Sequence, residues 1–275
     1  MSNFYGKSFV FNDIPSETYG LCVINFGSSS SDKGSGGADV QLFLQEIYRR
    51  PKPYLFGVSQ KPTLEFEFTF GSEQPLSAEM RSVIEGWLFG QLGYKKLQIV
   101  QDDLLNVYFN CFLTNPQIYY VGNVAYGFTC KVICDLPWGL EFSKSLTRTY
   151  GGGVANETIV FFNGSANNDY LYPIFDFTVS AVGNSITVTN NSDNARIFAF
   201  TGLTANSVIN VDNDLKIIQE TLGGGLLVPF ATNVNIISKF NKNWFRLVPG
   251  YNQIQISGGI SYLTMTYQFA RKVGG

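Results

Sequence analysis

Histidine is absent from all 275 residues, and with it go the commonest bases of enzyme chemistry. No Ser-His-Asp or Cys-His arrangement, zincin motif or histidine-containing facial triad can be assembled. The four cysteines, Cys22, Cys111, Cys130 and Cys134, include no C-x-x-C pair, so a zinc site lacks both of its usual ligand patterns. Charge is scarce as well, at 19 basic against 21 acidic residues. The balance holds along the chain, with 12 basic and 14 acidic residues up to Arg148 and 7 of each beyond it. Phosphate backbones are steered by positive surface, so neither half reads as a nucleic-acid binder. No run of about 18 apolar residues is available to span a membrane, and the opening MSNFYGKSFVFNDI lacks the continuous apolar core of a secretory signal. The chain is therefore expected to be made and kept in solution with no membrane partner. There is no internal repeat.

What the chain has in quantity is aromatic surface, with 24 Phe and 15 Tyr in a composition that is 45% hydrophobic. Such residues fill β cores, or lie under neighbouring subunits where charge is sparse. At this length two domains of ordinary size are expected. Residues 64–138 organise the first. Leu64, Phe66, Phe68 and Phe70 alternate with Glu65, Glu67 and Thr69, the period of a strand with one buried face. After a turn at 71–75, Ser77 is an N-cap with Glu79 in the first turn, and Met80, Val83, Ile84, Trp87 and Leu88 repeat at helical steps. Gly90 and Gly93 end that pattern. Strand spacing then returns in KKLQIVQ and in NVYFNCFL, where Val107, Phe109, Cys111 and Leu113 share a face and Asn106, Tyr108, Asn110 and Phe112 the other. TNPQ reads as a turn, 118–128 as a hairpin turning at Gly122 and Asn123, and Phe128, Cys130, Val132 and Cys134 as a last alternating run closed by Pro137. A sheet carrying one helix is an α+β arrangement.

Ahead of this region, Phe9 to Phe11 predict a short strand, Asn12, Asp13 and Pro15 a turn, and 21–26 a second strand. GSSSSDKGSGG at 27–37 is a low-complexity surface loop that either stays mobile or orders against a partner. Residues 40–47 fit a strand or a short helical turn. Arg49, Arg50 and Lys52, broken by Pro51 and Pro53, make the densest basic cluster, either a solvated turn or a subunit contact.

Pro137, Trp138 and Gly139 end the first pattern, polar SKSLTRT follows, and Gly151 to Gly153 read as a flexible joint, so domains are expected at 1–150 and 151–275. The second half reads as β throughout, with no helix. Strands are predicted at 158–162, 174–179, 185–189, 197–200, 208–211, 215–219, 226–228, 244–247, 252–257 and 262–269, separated by turn signals, the pattern of an antiparallel sandwich. Gly223 to Gly225 lack the G-K-[ST] ending of a phosphate loop.

No catalytic, cofactor-binding or metal-binding residue is assigned. Glu65 and Glu67 share one strand face but read as solvated. Asp102, Asp103, Asp212 and Asp214 read as turn residues, with loop-bound calcium the alternative for them. The cysteines read as buried thiols; a Cys111–Cys130 disulfide requires their strands to pair and an oxidising compartment. The sequons at Asn156, Asn163 and Asn190 carry no weight without a secretion signal. Trp244 either packs on a strand or contacts a partner or glycan.

The successive stretches YGKSFVFNDIPSETYGLCV, RRPKPYLFGVSQKPTLEFEFTF, LSAEMRSVIEGWLFGQLGYKKLQI and NVYFNCFLTNPQIYYVGNVAYGFTCKVICDLPW resemble the N-terminal domain of the distal tail (Dit) proteins of long-tailed, non-contractile bacteriophages. NGSANNDYLYPIFDF and FRLVPGYNQIQI resemble their galectin-like C-terminal domain. The resemblance implies a mainly β chain: an N-terminal β-sandwich or α+β domain with one packed helix, then a galectin-like antiparallel β-sandwich. It further implies a virion protein, synthesised in the host cytoplasm, that forms a hexameric ring at the tail tip. Its partners would be the major tail tube protein, the tail-associated lysin or hub protein, and baseplate or receptor-binding proteins, with DNA passing through the channel without sequence-specific binding. No cofactor is implied. True galectins use a histidine for sugar, which this chain lacks. The interval between Asn163 and Asn252 leaves no room for an inserted domain. A carbohydrate-binding module that recognises the host wall, or a related tube or hub component, remain the alternatives.

Overall fold

The computed structural model describes residues 7–24, 40–60, 62–102, 104–222, 226–227 and 234–272. The 27–37 loop, Asp103 and Gly223 to Gly225 lie outside the described residues. Two compact units are present, Met1–Phe142 with Ala270–Gly275, and Ser143–Phe269.

The first unit contains β1 (Ser8–Phe11), β2 (Val40–Gln45), β3 (Tyr54–Gln60), β4 (Glu65–Gly71), α1 (Ala78–Phe89), β5 (Lys95–Val100), β6 (Val107–Val121), β7 (Val124–Cys134) and β8 (Gly139–Glu141). Its main sheet runs β1-β5-β6-β7-β4, extended at the β1 side by Ile14–Pro15 and at the β4 side by Cys22–Val23. Three strands separate β1 from β4, which in a flat sheet would put them about 19 Å apart. Yet Phe9 on β1 lies with its ring centroid 5.1 Å from Phe68 and 5.3 Å from Phe70 on β4. The sheet is therefore rolled, and the Val23 amide donates to the Lys7 carbonyl at 3.3 Å across the closing edge. One core fills it: Phe9, Phe11, Phe68, Phe70, Leu97, Ile99, Phe109, Cys111, Phe128 and Val132 are all buried.

Helix α1 begins where Ser77 Oγ accepts from the Met80 amide at 3.2 Å, satisfying one of the otherwise unpaired first-turn amides. Ile84, Trp87 and Leu88 are buried, each side chain worth about 1.5–3 kcal/mol of transfer. Met80 and Val83 are not part of that stripe but exposed, so the helix docks by its C-terminal half. The TNPQ segment is a bulge inside β6 rather than a turn: pairing with β7 shifts between Thr114 and Gln117, with Asn115 at φ 52°. A bulge bends a strand without ending it, and proline is tolerated there because it removes no needed ladder donor. The β6–β7 turn is at Gly122 (φ 56°) and Asn123 (φ 69°) as expected, the left-handed pair of a tight hairpin.

The second unit contains β9 (Lys144–Thr149), β10 (Ala155–Asn163), β11 (Ile174–Val179), β12 (Ile186–Asn190), β13 (Arg196–Phe200), β14 (Val208–Asp212), β15 (Ile217–Leu222), α2 (Val234–Lys239), β16 (Gly250–Gly258) and β17 (Ile260–Tyr267). One sheet runs β9-β17-β11-β14-β15 and ends on Leu226–Leu227; the other runs β10-β16-β12-β13. Phe175 and Phe177 of the first sheet meet Phe198 of the second at 5.8 and 6.1 Å, so the two sheets form an antiparallel sandwich around an apolar layer.

Three expectations change here. The division falls at Phe142/Ser143 rather than at 150/151, because the polar stretch after Phe142 is strand β9, paired residue for residue with β17. Gly151–Gly153 is an ordered turn of this unit, with Gly152 and Gly153 at φ 75° and 70°; a Cβ on Gly153 would lie 2.6 Å from Ser180 Cβ. Glycine serves conformation and close approach at that point. Thirdly, α2 is a helix, with Ile236 buried; six residues are too few to display a helical period. Trp244 is in no strand, and the predicted 244–247 strand reduces to a single Leu171–Leu247 bridge.

Candidate functional site

Strands β2 and β3 form a hairpin that pairs with no other described strand. Leu42 faces Val58, and Leu44 faces Leu55, with a bulge at Phe43/Leu44. Leu42, Phe43, Leu44, Leu55, Phe56 and Val58 are all exposed, Phe56 at 69%, and Tyr48 at the turn reaches 87%. Successive residues of a strand point to opposite faces, so this hairpin is apolar on both. A strand with that pattern is ordinarily buried on both faces, and an isolated two-stranded hairpin is marginal in water. Of the two alternatives for 40–47 the strand is the one observed, while β3 was not predicted, since its apolar residues do not alternate with polar ones. Arg49 and Arg50 sit at the turn over the rings of Tyr48 and Tyr54, at 5.2 and 4.6 Å. The basic cluster thus caps an exposed apolar arm.

A second exposed group adjoins α1: Met80 and Val83 on its outer side, then Leu92 and Tyr94 beyond its end. Tyr94 is braced edge-on by Phe112 at 6.1 Å.

The remaining polar chemistry is structural. An open cleft of about 520 Å³ is lined by Glu65, Phe66, Glu67, Asn115, Gln117, Thr129, Cys130 and Lys131. Lys131 Nζ lies 2.8 Å from Glu65, so this carboxylate is ion-paired. Burial pushes the Cys130 thiol up to about 12, and the Cys134 thiol, by burial and the nearby Asp135 carboxyl, also to about 12; Cys111 is raised well above its ordinary value by burial and by its cysteine neighbours. Neutral thiols of this kind are poor nucleophiles. Cys111 faces Cys134 across the ladder while Cys130 faces Phe68, so the Cys111–Cys130 pairing does not occur; all four cysteines are free. Among the described residues no three ligand-type side chains gather as a metal site. Asp212 Oδ1 accepts from the amides of Asp214 and Leu215 at 3.0 and 2.9 Å, making this pair a turn.

In the second unit the stretches that follow Asn163 and Phe245 converge on one strap, the segment 246–250. Asn163 Nδ2 donates to the Val248 carbonyl at 3.3 Å. Asn252 Oδ1 accepts from the Val248 amide at 2.9 Å, and its Nδ2 donates back to the Val248 carbonyl at 2.8 Å. Asn190 Nδ2 bridges Asn252 and the Arg246 carbonyl, both at 2.9 Å. Arg246 grips Asp193 through two bonds of 2.8 and 3.1 Å and lies 3.8 Å from the Tyr170 ring centroid. Asn163, Asn190 and Asn252 are buried, so two of the three sequons are inaccessible and the asparagines act as internal ties. Trp244 packs edge-on against Phe240 at 4.9 Å, and its carbonyl accepts from Arg196 Nε at 2.7 Å.

Residues 4–136 match the family described as phage tail protein N-terminal domain, and residues 141–267 that described as phage tail C-terminal domain. No curated protein matches the sequence. The crystal structure of phage SPP1 Dit (gp 19.1), described as a paradigm of hub adsorption apparatus in phages infecting Gram-positive hosts, is similar with a TM-score of 0.65 at 12% identity, over 95% of this chain and 98% of that one. The baseplate of phage p2, in its activated conformation with Sr, contains a chain similar at TM-score 0.54 and 10% identity, over 97% and 98% of the two chains. At such identities the likeness is one of fold. With both family domains present in order over nearly its whole length, the chain belongs to the phage tail proteins and shares the Dit fold.

Proposed function

We propose that this chain is a structural tail-hub protein that closes into a six-fold ring at the distal end of the phage tail, with the interface built mainly by residues 1–138. The observation that carries the reading is the β2–β3 hairpin, apolar on both faces and exposed in the single chain. A neighbouring copy is the occupant that fits it. A head-to-tail contact of this kind repeats until rotation closes the ring, and the uncharged faces of the hairpin suit a permanent interface rather than a steered, transient one.

Synthesised in the host cytoplasm, the ring would link the major tail tube protein on one side to the tail-associated lysin or hub protein on the other. The second unit would anchor baseplate or receptor-binding proteins. DNA would pass through the channel without sequence-specific binding, in keeping with the near-balance of charge along the chain. The role is structural, with no catalytic step. Immunogold labelling of intact virions tests it: gold at the tail tip is expected, and gold on the capsid or along the tube would overturn it.

A further inference from the structure

We propose that the terminal strand, Ala270–Arg271, is a clamp through which the first unit senses whether the second is folded. The chain leaves the first unit at Phe142, builds the whole of the second, and returns at Ala270. There Gly139 faces Arg271 and Leu140 faces Ala270, antiparallel to β8, whose other edge is paired with β6. Ala270 and Glu141 are buried, and the Arg271 guanidinium pairs with the Glu141 carboxylate. The first unit is thus completed by residues that lie beyond the end of the second.

A strand of two residues holds little by itself, so its pairing is decided by how readily its ends meet. Between Leu140 and Ala270 the chain runs through residues 141–269, and the entropy lost on closing such a loop grows with the logarithm of its length. The folded second unit removes most of that loop, because β9 and β17 already pair Lys144 with Tyr267. Only residues 141–143 and 268–269 then lie between the paired ends. Shortening the free loop in this way favours closure of the clamp about a hundredfold. When the clamp opens, the Glu141 carboxylate loses its cation and draws water to the β8 edge.

The coupling works in both directions. Whatever stabilises the second unit, a bound partner included, tightens the clamp on the first, and a closed clamp resists unfolding of the second. A chain whose second unit is misfolded therefore presents a first unit with an opened edge. The device acts within one protomer and does not depend on ring closure.

The test is amide-resolved hydrogen exchange of the full-length protein by NMR. The Phe142 amide donates to the Asn106 carbonyl of the first unit at 3.0 Å, so alternation turns the Gly139 amide toward the terminal strand, and Gly139 with Arg271 reports opening of the clamp. Phe177 on β11, paired on both sides, reports the second unit. Val132 on β7, also paired on both sides, reports the body of the first. Phe198→Ala removes a core ring that meets Phe175 and Phe177. In that variant, at the urea concentration where Phe177 just loses protection, Gly139 and Arg271 should exchange about a hundredfold faster than in the unmodified protein under the same conditions, with Val132 still slow. Asn252→Ala, a milder loss in the same unit, carries the same comparison if Phe198→Ala does not fold. Arg271→Glu, which sets a second carboxylate against Glu141, should speed exchange at Phe177 by up to the same factor, because the coupling is reciprocal. Unmodified protection of Gly139 and Arg271 while the second unit is open would overturn the inference, as would exchange at Phe177 unchanged by Arg271→Glu. Joint loss of protection at Val132 and Phe177 that persists in Arg271→Glu would place the coupling outside the clamp and overturn it too.

Discussion

Trp87→Ala should remove about 4–5 kcal/mol from the first unit. The side chain is 7% exposed. Its ring stacks on Phe9 at 5.9 Å and 8°, meets Phe11 edge-on at 6.1 Å and touches Tyr19 at 4.9 Å. Nε1 donates to the Phe11 carbonyl at 3.2 Å, tying α1 to the closing edge of the rolled sheet. Truncation of a buried tryptophan costs about 3–5 kcal/mol through lost transfer and an unfilled cavity. Loss of the indole donor also leaves a buried carbonyl short of a partner, at about 1–3 kcal/mol. The two costs overlap because the cavity admits some relaxation, hence the upper part of the first range. Against a typical domain stability of about 5–15 kcal/mol, the unit would be close to unfolding. Trp87→Phe, which keeps most of the ring and loses the donor, should cost about 1–2 kcal/mol. Urea unfolding of the full chain, followed by far-ultraviolet circular dichroism, measures both variants. A loss below about 1 kcal/mol for Trp87→Ala would refute the placement of this ring at the centre of the core.

Replacing Phe43 and Phe56 together by serine should abolish oligomers in light scattering while leaving the far-ultraviolet circular dichroism of the protomer unchanged, because both rings are exposed in the single chain; oligomers of unchanged size would remove the hairpin from the interface. Arg271→Ala should cost the first unit about 1–3 kcal/mol, since Arg271, from the Ala270–Arg271 strand beside β8, pairs with the buried Glu141 carboxylate; a midpoint unchanged in urea would contradict this. Alkaline pH should weaken the first unit through its thiols. Cys130 and Cys134 have folded values near 12 against an ordinary 9.0, so the folded state holds protons that the unfolded state releases. Their stabilisation is fully present below pH 9.0 and is lost as pH rises toward about 12. Urea midpoints measured across that window should fall, and fall less in Cys130→Ala/Cys134→Ala; an equal fall would assign the effect to other groups.

Strands with one wet face were legible because alternation survives there: β4, β5, β7 and the first half of β6 lie where the pattern predicts. Helix α1 was legible through Ser77 and the Ile84, Trp87, Leu88 spacing, but its stripe was drawn too wide, since Met80 and Val83 are apolar yet exposed. The β2–β3 hairpin was legible only in part: 40–47 fitted a strand or a short helical turn, and 54–60, apolar on both faces, showed no period. Strand β9 failed in the opposite way, because at a sheet edge polar residues are tolerated and SKSLTRT reads as a linker. The buried asparagines of the second unit gave no signal at all as isolated residues. Their role depends on a strap folded back from residues far along the chain, which periodicity cannot register.

The most direct test of the ring is the symmetry and mass of the purified full-length protein at high concentration, by negative-stain class averages with native mass measurement. The account predicts annular particles with six-fold symmetry and six times the 30.5 kDa protomer mass. A protein that stays monomeric at every concentration, or closes with another symmetry, would contradict it.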